Sequence, residues 1–286
     1  MPTPTDRPHL VVPVDFSAPA AVALRDAYHL AERSGGELHL LHIHRKSEPG
    51  GDAQVAKERL AAFASDAGVP LSGLTLAERP GDHPAPCIVA YAKEVDADLV
   101  VMSRIGARGL RRYLLGSQTD EVLRTIPCTL LVVPETFEAT PQVHLLLVPV
   151  DLTDISAPLV HRARTFAARY GDAARLMVIH ALEPLPHAGG WMSALASRFD
   201  DSLGESVTHE VRTLAEQAGG PDVPTDVHVT EGRAAEAILR EAANHDADLI
   251  VMASHGLENA QRLLIGSVTE RVVRTSDRPV LVLRVT

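Results

Sequence analysis

Cysteine, aromatic residues and long apolar runs are all scarce in this chain of 286 residues. The two cysteines, Cys87 and Cys128, form no CxxC pair, which argues against a disulfide framework and against a cysteine-based metal cluster. No apolar run approaches the roughly 18 residues that a membrane-spanning helix needs. The first residues, MPTPTDRPHL, also lack the apolar core of a signal peptide. We therefore expect a cytoplasmic protein with no membrane partner.

Basic residues are outnumbered by acidic ones, 27 to 37, which gives a formal net charge of −10. Nucleic-acid affinity depends largely on Lys and Arg displacing condensed counterions, so we expect no nucleic-acid partner. Only 3% of residues are aromatic, whereas 45% are hydrophobic. The composition thus predicts a soluble globular protein whose core consists mainly of aliphatic side chains.

Several catalytic signatures are also missing. The chain contains no G-x-x-x-x-G-K-[ST] element and no G-x-S-x-G element, which disfavours a P-loop motor and an α/β-hydrolase. We find no HIGH-type signature and no paired acid and base in the glycine-containing loops. The sequence therefore predicts no catalytic residue, and we expect that the protein is not an enzyme.

The chain instead contains two copies of one domain. The stretch PETFEATPQ at 134–142 has Pro near both ends and no periodicity, so it is the expected linker between domains at 1–137 and 142–286. The matching segments are HLVVPVD (9–15) with LLLVPVD (145–151), DADLVVMS (96–103) with DADLIVMA (246–253), and LLGSQTDEVLRT (114–125) with LLIGSVTERVVRT (263–275).

Each copy alternates short aliphatic runs with longer stretches of helical periodicity. Continuously aliphatic strands must be covered on both faces, which indicates parallel strands between layers of helices. We therefore predict an α/β fold with two doubly wound domains, each with a mostly parallel five-stranded sheet and a ligand crevice at the carboxyl ends of its strands. The expected strands lie near 9–15, 37–44, 72–79, 98–103 and 128–133, and near 144–151, 174–182, 225–231, 248–253 and 279–285. The expected helices of the first copy lie near 18–34, 52–67, 84–95 and 117–126.

A Gly-Ser pair precedes the last helix of each copy. Ser267 with Glu270 has the spacing of a capping box, and Ser117 with Asp120 is a weaker version of it. A glycine before the cap lets a ligand approach the backbone, and the free N–H groups of a helix start favour an anion such as phosphate. The alternative is that each Gly-Ser pair merely begins a helix.

The loop after the fourth strand keeps the same glycine spacing in both copies. Nine residues separate Gly106 from Gly116 in SRIGARGLRRYLLGS, and nine separate Gly256 from Gly266 in ASHGLENAQRLLIGS. With these motifs the chain resembles the universal stress protein family, whose nucleotide-binding members carry G-x2-G-x9-G-[ST] at this point. The resemblance covers almost the whole chain in tandem, and it includes an Asp that ends strand one and a Gly before helix three, which are Asp15, Asp151, Gly81 and Gly232.

This resemblance implies a stress-response regulator or sensor that binds ATP, with Mg²⁺ as a candidate companion ion. Asp15 and Asp151 would hold the adenosine end, and Ile43 and Ala181 would line the adenine. The first motif glycine is replaced by a small residue in both copies, which leaves binding feasible. The implied phosphate and ribose contacts are Ser103, Gly106, Gly116, Ser117, Ala253, Gly256, Gly266 and Ser267.

Three alternatives stay open beside this reading. The first is a tandem stress protein without ATP binding in one or both domains, which binds another small molecule or a protein, and the second is a slow ATPase. The third is a structural role for Asp15 and Asp151, because DFSAP and DLTDI can each begin a helix. A protein partner of unknown identity and a homodimer are further candidates, and the sequence only slightly favours the second copy as the better nucleotide site.

The two fifth strands, 128–133 and 279–285, are apolar and would be exposed sheet edges in separate domains. We expect them to meet in an internal pseudo-dimer, which is also how paired domains of the resembled family commonly dock.

Histidines and one insertion complete the sequence predictions. His42 and His180 end equivalent strands and are expected to be hydrogen-bonded residues, and no metal site is predicted. The second copy has an insertion near 183–205, in which Trp191, Leu195, Phe199 and Leu203 recur at helical spacing and predict a packed helix. A lid or partner-binding loop at 184–192 is the alternative for this insertion.

Overall fold

The computed structural model describes residues 7–44, 53–106, 115–137, 142–171, 173–183, 192–255 and 265–285, with the side chains of 53, 192–203 and 255 excepted. Strands and helices alternate along both halves of the chain. The predicted α/β class is confirmed.

The described part of the first repeat contains five strands and four helices in alternating order. Ser17 begins the first helix, because its Oγ accepts a hydrogen bond from Ala20 N at 3.3 Å. Each predicted element is present, with ends that differ from the prediction by two residues or fewer. The elements are β1 (His9–Val14), α1 (Ala18–Ser34), β2 (Glu37–His44), α2 (Ala53–Asp66), β3 (Leu74–Pro80), α3 (Pro84–Glu94), β4 (Leu99–Ser103), α4 (Ser117–Thr125) and β5 (Thr129–Val133).

The second repeat follows the same order and differs mainly in one longer helix. That helix covers most of the insertion in the second copy, so a helix is present there as predicted. The packing expected for Trp191, Leu195, Phe199 and Leu203 stays a prediction, because these side chains lie outside the described part of the chain. The elements are β6 (Leu145–Pro149), α5 (Ser156–Tyr170), β7 (Arg175–Leu182), α6 (Met192–Gln217), β8 (Thr225–Glu231), α7 (Ala234–Asn244), β9 (Leu249–His255), α8 (Ser267–Thr275) and β10 (Val280–Val285).

The ten strands of the described residues belong to a single sheet, in the order β3-β2-β1-β4-β5-β10-β9-β6-β7-β8. Neighbouring strands within each repeat are parallel, and the two repeats join through antiparallel pairing of β5 with β10. Leu281 lies opposite Leu131 at the centre of this pair. The predicted pseudo-dimer is thus confirmed, and neither apolar fifth strand is left as an edge.

Two apolar layers, one on each face of the sheet, run through both repeats. One layer lies under α1 and α5 and joins Leu24 to Leu159, and the other lies under α3, α4, α7 and α8 and joins Val122 to Val272. Because both layers cross the β5–β10 junction, the repeats share their core. No described helix has the length and apolar character that crossing a membrane requires.

Four charged side chains link α4 to α8 across the junction, and we call Asp120, Arg124, Glu270 and Arg274 the interface quartet. Each arginine pairs with the acid one turn earlier in its own helix, at 3.1 Å for Arg124–Asp120 and 2.9 Å for Arg274–Glu270. Each also reaches the acid of the other helix at 3.3 Å. All four are about a third exposed, so the quartet orients the helices more than it stabilises them.

Arg104 makes a second, buried link between the repeats. Its side chain is only 2% exposed and forms a bidentate ion pair with Glu135 at 2.8 Å. Its Nη1 donates to the carbonyl oxygens of Arg274 and Ser276 at 3.2 and 2.7 Å. The guanidinium therefore satisfies the C-terminal end of α8, where a cation is favoured by the helix dipole.

Candidate functional site

The turn after the first strand of each repeat carries the predicted aspartate. In the first repeat, Asp15 Oδ1 accepts hydrogen bonds from Ser17 N and Ser17 Oγ, at 3.1 and 2.5 Å. The intervening Phe16 has φ of 62°, a left-handed conformation that a bulky residue rarely adopts. Such strain costs on the order of 1–3 kcal/mol and is typical of functional turns.

The second repeat builds the same turn with different hydroxyl donors. Asp151 Oδ1 accepts from Thr153 N, Thr153 Oγ1 and Ser156 Oγ at 3.1, 2.6 and 3.0 Å. Leu152 repeats the φ of 62°. Burial alone would raise the pKa of Asp151, but the hydrogen bonds from Thr153 and Ser156 lower it below its usual value. Both aspartates therefore support their turns, and both residues are exposed to solvent.

The two equivalent histidines support the same turns from the neighbouring strands. His42 Nδ1 lies 2.9 Å from Val14 O, and His180 Nδ1 lies 2.8 Å from Val150 O. A carbonyl oxygen only accepts, so Nδ1 must carry the proton in both rings. The prediction that these histidines are hydrogen-bonded is confirmed, and each holds the residue immediately before the site aspartate.

In the first repeat, the loop after β4 contacts Asp15 directly. A methyl group on Gly106 would lie 2.5 Å from Asp15 Oδ2, so only glycine allows this approach. Gly116 N donates to Arg104 O at 2.8 Å, which draws the start of α4 against the same loop. Asp15, Gly106 and Gly116 are thus brought together at the carboxyl edge of the sheet.

The capping-box prediction for the last helices is wrong. Gly116 and Gly266 are themselves the N-cap residues, and Ser117 and Ser267 are the first helical residues, exposed, with no side-chain cap. The acids expected to complete the boxes belong instead to the interface quartet. Since a glycine cap offers no side-chain acceptor, the N–H groups of both helix starts are left for solvent or an anion.

A threonine pair that sequence reasoning did not single out fixes each helix start to its sheet. Thr119 Oγ1 donates to Ser103 O at 3.0 Å, and Thr269 Oγ1 donates to Ala253 O at 3.1 Å. The recurrence of threonine at matching positions in the two Gly-Ser motifs was the available signal. These bonds set the distance between the predicted Ser103 or Ala253 contact and the start of the helix.

The predicted adenine-lining residues lie on the second strands of the two repeats. Ile43 and Ala181 are part-buried near the carboxyl ends of β2 and β7. Gly81 N donates to His44 O at 2.8 Å, and a methyl group on Gly81 would lie 3.3 Å from Ile43 and would clash with the Cys87 sulfur. Ile43 therefore lies at the same edge of the sheet as Asp15.

Some predicted residues lie outside the described part of the chain. These are Gly256, the loop residues at 107–114 and 257–264, and 184–191, which includes Trp191 and most of the expected lid. The second site is accordingly described by Asp151, Ala181, Ala253, Gly266 and Ser267 alone.

Comparison with known proteins gives one consistent family. The Universal stress protein family model matches residues 7–134 and again residues 143–284. A universal stress protein of Mycolicibacterium smegmatis is 27% identical over 293 residues, covering 96% of each chain. Another from Thermus aquaticus is 36% identical over 129 residues, which is 43% of this chain and 90% of that protein. A functionally unknown protein from Pseudomonas aeruginosa has the same fold, with a TM-score of 0.68 at 23% identity over 97% of this chain and 92% of its own.

Proposed function

Because this chain belongs to the universal stress protein family, we propose that it binds an adenine nucleotide, with ATP as the expected ligand, at the carboxyl edge of one or both repeats. In this proposal the protein acts in the cytoplasm as a stress-response sensor or regulator. Nucleotide occupancy changes its protein partners or its assembly.

The observation that carries the proposal is the contact between Asp15 and Gly106 beside the start of α4. A carboxylate that accepts hydrogen bonds from ribose or adenine then lies next to a helix start that can bind phosphate. Gly116 and Ser117 would present N–H groups to the phosphates, and Ile43 would contact the adenine. The second repeat offers the equivalent Asp151, Ala181, Gly266 and Ser267.

We further propose that the protein binds nucleotide with little or no hydrolysis. Phosphoryl transfer needs cationic clamping of the transition state and a positioned water. Neither glycine motif, 103–117 or 253–267, contains a lysine, and the site aspartates accept hydrogen bonds from the hydroxyl and backbone groups of their own turns. Phosphate release that depends on the protein and is lost on replacing Gly116 or Gly266 would favour the slow-ATPase alternative instead.

Nucleotide that co-purifies with the protein tests the proposal. The purified chain is denatured, and the released small molecules are separated and identified against ATP, ADP, AMP and cyclic AMP standards. We expect an adenine nucleotide at up to two molecules per chain. A different small molecule would support the alternative ligand, and a protein that neither releases nucleotide nor takes up added ATP would contradict the proposal.

A further inference from the structure

A cluster of two histidines and one buried glutamate lies in the second repeat, away from the nucleotide crevice. His228 is on β8, while Glu241 and His245 are one turn apart near the C-terminal end of α7. Their ligand atoms all lie within 4.8 Å of one another. The crevice lies at the other end of α7, where Gly232 precedes the helix.

The two histidines lie too far from Glu241 to form hydrogen-bonded ion pairs with it. The Nε2 atoms of His228 and His245 lie 3.6 and 3.7 Å from the same oxygen, Oε2 of Glu241. These distances exceed the normal range for a hydrogen bond. With metal–ligand bonds of about 2.0–2.1 Å, two ligands on one zinc ion lie roughly 3.3–3.6 Å apart. The two separations from Oε2 are close to this range, and all three ligand atoms lie within 4.8 Å of one another, so they can converge on a single ion.

The glutamate is held as a metal-binding carboxylate usually is. Its side chain is only 7% exposed, and its other oxygen, Oε1, accepts from Thr230 Oγ1 at 2.8 Å and from Arg240 Nε at 3.0 Å. Arg240 also donates to Thr230 Oγ1 and Glu231 O, which fixes the guanidinium on the Oε1 side. Such outer contacts orient a ligating carboxylate and leave Oε2 directed at the histidines.

The cluster is open to solvent on its histidine side. The side chains of His228 and His245 are 40% and 37% exposed, so an ion can enter from solvent.

The first repeat shows that the cluster is not a product of the shared fold. Helices α3 and α7 can be aligned by a backbone hydrogen bond that both contain. It joins Val95 N to Tyr91 O in the first repeat and His245 N to Glu241 O in the second. Tyr91 and Val95 thus replace Glu241 and His245, and Ala77 stands where the second repeat has His228. In that repeat the Tyr91 hydroxyl instead contacts His39 at 2.9 Å. Side chains that can bind a metal therefore occupy these three positions in the second repeat only.

We propose that His228, Glu241 and His245 form a binding site for a divalent transition metal ion, of which Zn²⁺ is the expected example. Two imidazoles and a carboxylate are a donor set that zinc favours, and three protein ligands leave a position open to water or to another ligand. The sequence analysis predicted no metal site, because twelve residues separate His228 from Glu241 and only the fold brings them together.

The test uses the full chain, freed of metal with a chelator and titrated with ZnCl₂ by calorimetry. We expect one zinc ion per chain with a dissociation constant in the micromolar range or below. His228→Ala and His245→Ala should each weaken binding at least tenfold, and Co²⁺ should give visible absorption bands that both variants lose. Zinc should also raise the melting temperature of the unaltered chain and not that of the variants.

His209→Ala is the matched control, since His209 is an exposed histidine on α6 and the chain has 14 histidines that can bind zinc weakly. If an alanine variant fails to fold, His228→Gln and His245→Gln replace it. Absence of stoichiometric zinc binding would overturn the proposal. Binding that His209→Ala weakens as much as the two cluster variants do would overturn it equally.

Discussion

The Arg104 guanidinium of the first repeat donates to the Ser276 carbonyl oxygen of the second repeat at 2.7 Å. The backbone carbonyl of the same Arg104 accepts from Gly116 N at the start of α4. One residue thus connects the first candidate nucleotide loop to the C-terminal end of α8, whose N-terminal end belongs to the second candidate site.

Replacing Arg104 with methionine should destabilise the chain. The change leaves Glu135 without its bidentate partner and removes the donor to the carbonyls of Arg274 and Ser276. Breaking a buried ion pair on one side costs about 3–5 kcal/mol of unfolding free energy. Chemical denaturation measures this loss. Ser254→Ala is the control, because Ser254 occupies the equivalent position and makes only a 3.4 Å bond; equal effects of the two changes would contradict the assigned role of Arg104.

The separated repeats should associate with themselves. Cutting the chain into residues 1–137 and 142–286 exposes β5 or β10 as an apolar, unpaired edge. Each repeat also carries half of the interface quartet, and a second copy of the same repeat would supply equivalent charges. We expect dimers in sedimentation velocity experiments at micromolar concentration. Two monodisperse monomers would show that the β5–β10 junction contributes little.

A buried carboxyl at the junction should make stability depend on pH. Asp26 is buried on α1 beside Leu131 and Phe166, and burial raises its pKa from 3.8 to about 7. The folded state therefore favours the protonated form. This contribution to stability is complete below about pH 4 and is lost as the pH rises through 7.

Asp26→Asn should remove that pH dependence. The amide cannot ionise, so the variant should gain stability over the unaltered chain between pH 5 and pH 8, by up to roughly 4 kcal/mol at the upper end. Thermal melts across this range compare it with Asp222→Asn, a change at an exposed loop residue. A gain that is the same at pH 5 and pH 8 would contradict the shifted pKa.

Local patterns in the sequence were sufficient to predict the strands and helices. Continuous aliphatic runs such as TLLVV and VLVLRV are typical of buried strands in an α/β chain, and both form strands here. Pairing of β5 with β10 also followed from their apolar edges. The capping-box prediction was wrong because Asp120 and Glu270 form ion pairs with arginines of the opposite repeat. Contacts between the repeats leave no local pattern in the sequence.

The sequence predicted some functional residues and missed others, because contacts formed only in the folded chain leave no local pattern. The aspartates and glycines recur in both copies, so repetition marked them, and the structure places Asp15 against Gly106. Arg104 lies in the glycine loop of the first repeat, where the second repeat has Ser254, and this difference between the copies is the one local sign of its separate role. Its burial depends on Glu135 and α8, which approach it only in the folded chain.

The central claim is that Asp15 and Asp151 bind nucleotide in addition to supporting their turns. Asparagine separates the two roles, because its Oδ1 can still accept from Ser17 or Thr153 while the second carboxylate oxygen becomes an amide donor. Alanine removes both roles, and the loss of the turn hydrogen bonds should also cost about 1 kcal/mol of stability. The asparagine variants should therefore melt close to the unaltered chain.

Calorimetric titration with ATP of the unaltered chain, of Asp15→Asn, of Asp151→Asn and of the double variant is the most direct measurement. We predict that each single change weakens one site by roughly 1.5–3 kcal/mol, the contribution of a hydrogen bond to a charged group, and that the double variant loses both sites while staying folded. If the double variant binds ATP as tightly as the unaltered chain, the aspartates are structural only and the proposed crevice is not the nucleotide site.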